Sequence, residues 1–135
     1  MIYVTRRATF NAAHRVFNPD LSDDENFKIF GSCSNPHWLG HNYVLEVVVA
    51  GEVDPETGYV IDLKHLKEIM QREVIEKVDH KNLNLEVEFM KGIQPSAENI
   101  TIQIWKQLKN KIPSGKLHSV KLYETENNYF EYRGE

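Results

Sequence analysis

Cysteine is almost missing from this chain of 135 residues: Cys33 stands alone, so no internal disulfide can form. That fits a reducing compartment, and the reading expects a cytoplasmic protein. Long apolar runs are missing too. None approaches the ~20 residues that cross a bilayer, and the opening MIYVTRRATF has no apolar signal-peptide core, so neither a leader nor a membrane role is expected. Basic excess is absent. Sixteen Lys and Arg against 20 Asp and Glu leave a net charge of -4, which argues against nucleic acid as a partner. There is no repeat, low-complexity tract or linker, so one domain is expected over residues 1–135.

What is present is strand and helix patterning. Ile2, Val4, Ala8, Phe10, Ala12 and His14 share one parity, broken by Arg6, and would share one face of a long strand. Asn18-Pro19-Asp20 ends it. Ser22-Asp23-Asp24-Glu25 is a capping box opening a short helix through Phe27 and Ile29. Gly31 to Gly40 reads as a polar loop, and Asn42 to Val53 as a second strand. Asp54-Pro55-Glu56-Thr57-Gly58 is a turn, after which Tyr59-Val60-Ile61 reads as a returning strand. Asp62 caps a helix carrying Leu63, Leu66, Ile69, Met70 and Val74. Pro95-Ser96 opens another, with Ile100, Ile104, Trp105 and Leu108 on one face, ended by Pro113 and Gly115. Leu117–Thr125 and Tyr129–Arg133 read as a hairpin. The order is β, β, β, α, α, β, β, and two amphipathic helices on one face of an antiparallel sheet make an α+β sandwich. Its other face and its edges have no cover within one chain, and oligomerisation would supply it.

Six histidines in so short a chain direct attention to chemistry. His14 ends the first strand, and His37 and His41 flank the entry to the second. If these strands pair, His14 and His41 converge, the usual way a sheet builds a zinc site. The alternative is ordinary hydrogen-bonded histidines. Cys33 lies among small polar residues, Gly31-Ser32-Cys33-Ser34-Asn35; it is either a base or nucleophile ionised near a cation, or a buried inert thiol. Asp79-His80 pairs a carboxylate with an imidazole, useful only if the loop bends; otherwise it is a turn with a solvated His. Glu98 is a helix-dipole contact. Glu124 is either an exposed strand residue or an inward carboxylate accepting two N–H groups from a guanidine-like heterocycle edge.

Taken together the segments resemble the 6-pyruvoyltetrahydropterin synthase family. The resemblance runs from Phe10-Asn11-Ala12-Ala13-His14-Arg15 through Phe30-Gly31-Ser32-Cys33-Ser34-Asn35-Pro36, Gly40-His41-Asn42-Tyr43, Asp79-His80-Lys81-Asn82-Leu83 and Ser96-Ala97-Glu98-Asn99 to Tyr123-Glu124-Thr125 and Tyr132-Arg133-Gly134-Glu135. It implies the tunnelling fold (T-fold): an antiparallel four-stranded sheet with two helices on one face, the sheets of several subunits joined into a barrel with helices outside. It also implies a trimer ring, commonly a hexamer of two stacked rings, with active sites at subunit interfaces. The implied substrate is the pterin 7,8-dihydroneopterin triphosphate, which loses triphosphate to give 6-pyruvoyltetrahydropterin, on the way to tetrahydrobiopterin, with no external redox cofactor.

Carried over by residue, the resemblance makes His14 and His41 two of three ligands of Zn2+. Cys33 becomes the general base, Asp79 and His80 its activating partners, Glu124 the anchor of the pterin ring and Ser96 a hydroxyl lining its pocket. One departure stands out. The family's His-Gly-His before Asn-Tyr is Leu39-Gly40-His41 here, so Leu39 occupies the middle ligand's place and His37 is the candidate replacement. Reaching His41's metal from His37 needs a bent loop, because four extended residues span about 13 Å. Two other readings stay open: 6-carboxytetrahydropterin synthase of the queuosine route, and a pterin-binding module without catalysis. Cys33 lies eight residues before His41, as in the pyruvoyl type.

Overall fold

A computed structural model describes residues 1–135. Strand β1, Ile2–His14, pairs antiparallel with β2, Leu39–Gly51, in unbroken register from Ile2 opposite Gly51 to His14 opposite Leu39. Between them come helix α1, Asp23–Phe30, and a 3₁₀ turn, Gly31–Ser34. The predicted capping box is present: Glu25 N–H donates to Ser22 Oγ, and Ser22 N–H donates to Glu25 Oε1. Helix α2, Leu63–Met70, passes through a π-turn, Gln71–Ile75, into α3, Glu76–Val78. Asp62 caps α2 by accepting from Lys64 N–H at 2.9 Å. Strand β3 is only Lys81–Asn82. Helix α4, Ala97–Leu108, leads to β4, Lys116–Thr125, and β5, Asn128–Tyr132.

The sheet order is β3-β1-β2-β4-β5. Its four long strands are antiparallel, as the pattern predicts. The two-residue β3 adds a short parallel edge against Ala12 and Ala13. A pair so short leaves no periodicity to read in sequence. Tyr59–Ile61 does not form the expected strand. Tyr59 closes the preceding turn, its carbonyl accepting from Asp54 N–H at 2.9 Å, and Val60 and Ile61 then drop into the core. A short apolar run of this kind serves as strand or as plug, and periodicity does not separate the two.

One face of the sheet is the core face. Phe10, Ala12, Tyr43, Leu45, Val47, Val49, Val120 and Leu122 point there, covered by Leu66, Ile69 and Met70 of α2 and by Ile100, Ile104 and Leu108 of α4. The other face is polar. Register places Arg7, Glu46, Lys121 and Glu131 side by side across four strands, an alternating row with an Arg7–Glu46 contact of 3.2 Å. Such a row satisfies a wet face. At the core face's open end, beyond the last apolar layer, the parity that buries Phe10 and Ala12 next delivers His14.

Candidate active and metal site

Three strand ends meet at that place. His14 is the last residue of β1. His41 lies on β2 opposite Ala12, one diagonal step from His14. Glu124 follows Tyr123, which pairs with Val44, so its side chain falls on the core face beside Tyr43. The imidazoles of His14 and His41 stand 5.0 Å apart, nearly edge to face. His14 is 1% exposed. Its Nδ1–H donates to the Pro95 carbonyl at 2.8 Å, just before the cap of α4. That bond fixes the tautomer and leaves the Nε2 lone pair aimed inward.

Both Nε2 atoms are buried without a hydrogen-bond partner. They lie 3.9 Å (His14) and 4.0 Å (His41) from Glu124 Oε2, too far for hydrogen bonds. These three atoms all lie within 4.8 Å of one another. Tetrahedral ligands each ~2.1 Å from an ion stand ~3.4 Å apart, so shifts of about half an ångström would close both histidine–carboxylate gaps onto one divalent cation. Burial lowers the proton affinity of His41, with His14 acting the same way and Glu124 opposing, which favours the neutral, ligating ring. The donor set therefore fits zinc.

Cys33 sits half-buried in the 3₁₀ turn, and its carbonyl accepts from Val16 N–H at 2.8 Å, tying the turn to the end of β1. Burial first, and then the Glu124 carboxylate, push its thiol up. The Tyr43 hydroxyl is buried without a partner and is also pushed up, by burial, then Glu124, then Cys33. Glu124 thus acts on His41, Cys33 and Tyr43 together. The sequence suggested a thiol that ionises near a cation; within one chain the charge that acts on it is the negative Glu124, which favours the protonated form. A cation at the two histidines would reverse that sign.

Asp79 and His80 are elsewhere. The loop does bend, with His80 at φ +60°, so that Asp79 Oδ1 stands 3.0 Å from His80 Nδ1 and also accepts from Asn11 N–H at 2.9 Å. The Asn11 N–H, then His80, hold the Asp79 carboxyl below its usual range. The His80 side chain is 80% exposed. Neither residue bonds to the His14–His41–Glu124 group. Ser96 caps α4, accepting from Asn99 N–H at 3.3 Å. His37 is exposed and lies before Trp38, whose φ of +73° turns the chain into β2; it is not part of the group. Sequence reasoning gave Glu124 to catalysis and to the substrate, not to the metal. Its place beside both imidazoles depends on the β2–β4 register, which no local signal encodes. Tyr43 was seen only as part of a motif. An open depression of about 510 Å³ adjoins the group, lined by Arg7, His41, Asn42, Tyr123 and Glu124 among others.

A two-histidine, one-carboxylate group beside a free thiol, at the open end of an antiparallel sheet backed by helices, defines the class. Residues 3–135 match the family model for 6-pyruvoyl tetrahydropterin synthase. The chain is 47% identical to a 6-pyruvoyl tetrahydrobiopterin synthase from Dictyostelium discoideum, over 99% of this chain and 97% of that protein. It is 45% identical to the protein of that name from Homo sapiens, over 98% and 91%. A Caenorhabditis elegans 6-pyruvoyl tetrahydropterin synthase structure superposes with a TM-score of 0.90 at 41% identity, covering 99% of this chain and 96% of that one. The chain belongs to the 6-pyruvoyl tetrahydropterin synthase family, and its fold is the tunnelling fold.

Proposed function

We propose that the chain is a zinc-dependent lyase that eliminates triphosphate from 7,8-dihydroneopterin triphosphate and yields 6-pyruvoyltetrahydropterin. The observation that carries this reading is the convergence of His14, His41 and Glu124 beside Cys33. His14 and His41 would hold the ion. When bound, zinc supplies Lewis acidity to the side-chain oxygens and positive charge next to the thiol. Glu124 accepts N–H groups of the pterin ring and fixes its orientation. Cys33 Sγ accepts a carbon-bound proton, a contribution worth about 10²–10⁴-fold. Ser96 lies next to Pro95, which anchors His14, and borders the pterin side of the site. Asp79 holds the His80 ring through Nδ1, leaving Nε2 free to carry a proton to or from the reacting group.

His80 is 80% exposed and outside the His14–His41–Glu124 group, which supports its supply to the site by a neighbouring copy. The reading is a homo-oligomer, two stacked trimer rings forming a hexamer whose joined sheets cover the polar face. No helix is long and apolar enough to cross a membrane, and a cytoplasmic setting suits the lone reduced thiol.

Turnover of 7,8-dihydroneopterin triphosphate by the zinc-loaded protein tests the reading. Release of triphosphate with a pyruvoyl product supports it. Acetaldehyde release would assign the carboxy-forming reaction instead, and tight pterin binding without turnover would leave a binding module.

A further inference from the structure

We propose that Glu124 is the third protein ligand of the metal, so that the site is two histidines and a carboxylate, one from each of three strands. Register shows why a substitute is needed. Position 39 lies directly opposite His14 on the face that His41 shares, and it holds leucine, which has no donor atom. His37 is exposed and outside the group. Glu124 Oε2 lies 3.9 and 4.0 Å from the two Nε2 atoms that the fold buries without partners.

The carboxylate needs a cation as much as the imidazoles do. Its side chain is only 16% exposed, no Lys or Arg nitrogen lies within 4.0 Å, and it accepts no hydrogen bond from the chain. A poorly solvated anion with no counter-charge is costly. One divalent ion would satisfy two orphan nitrogens and this oxygen together. Two histidines and a glutamate form a set that catalytic zinc accepts with a position left open.

This deepens the zinc-lyase reading and rests on it. Coordination through Oε2 leaves Oε1 for an N–H of the heterocycle, so one side chain would bind metal and substrate at once. It also makes the ligand set anionic, leaving less net positive charge on the ion than neutral ligands would.

The test is metal binding without substrate. Metal-free protein is titrated with Zn2+, and separately with Co2+, whose visible spectrum reports the donor set. The proteins are wild type, Glu124→Gln, His37→Ala, Leu39→His and the double variant Leu39→His/Glu124→Gln. We expect one ion per wild-type chain. Glu124→Gln should weaken affinity at least about tenfold, the size that even an outer-shell loss produces. His37→Ala should bind as wild type. The double variant should regain affinity to within a few-fold through the new imidazole, which also shows that lost folding did not cause the first effect. It should not regain pterin affinity, because the carboxylate charge that accepts the ring N–H group is gone. Wild-type affinity in Glu124→Gln, loss in His37→Ala, or no uptake by wild type would each overturn the assignment. Turnover is measured separately. If turnover fails while the metal series behaves as expected, the lyase reading falls and the ligand assignment stands.

Discussion

At Cys33, burial and the Glu124 carboxylate act in the same direction, and both hold the thiol protonated. On the proposed reading a cation at the two histidines would free that thiol to act as a base, so metal and thiol would work as one device. If the thiol removes the proton, Cys33→Ala should abolish turnover while leaving pterin binding intact. Normal turnover in that variant, measured as triphosphate release, would remove Cys33 from the mechanism. At this scale the residue types were readable: His14, His41, Cys33 and Glu124 are all prominent in the sequence. What was not readable was the sign of the field at Cys33, because that sign comes from Glu124, 91 positions away along the chain but a neighbour across the sheet.

The elements explain why the site is rigid enough to work. β1 and β2 pair over their whole length, and the cap of α4 brings the Pro95 carbonyl onto His14. Their starts were legible because caps are local: Ser22, Asp62 and Ser96 each announce a helix within four residues. The plug at Tyr59–Ile61 and the edge at Lys81–Asn82 were not, since each is decided by distant partners. The turn from α4 into β4 depends on Gly115, at φ +71°. A Cβ there would meet the Ala50 carbonyl oxygen and Val49 Cγ1 at 2.8 Å. Gly115→Ala should therefore cost roughly 1–3 kcal/mol, read as a lower urea midpoint with an unchanged slope. A midpoint equal to that of the wild type would show that this turn relaxes freely.

For the whole molecule, the single chain is incomplete in two respects. Its outward sheet face carries a row of charges rather than a second core, and its His80 side chain is exposed and outside the His14–His41–Glu124 group. The need for a partner was legible from the uncovered face, because a sheet with helices on one side only leaves the other open. Which chain supplies which group was not. If each site combines Cys33 of one copy with His80 of the next, Cys33→Ala and His80→Ala proteins should each be inactive alone. Unfolded and refolded as a mixture, they should recover a measurable fraction of activity, as some interfaces then carry both intact groups. A mixture as inactive as its parts would mean that one chain supplies both.

The most direct measurement follows the alkylation rate of Cys33 against pH, with and without one equivalent of Zn2+. Without metal, the midpoint should lie above that of an ordinary thiol, since burial and Glu124 both favour the protonated form. With metal, the midpoint should fall, because a cation held by His14, His41 and Glu124 stabilises the thiolate beside it. Superimposable profiles would mean that no ion sits within reach of the thiol, and would contradict the proposed catalyst.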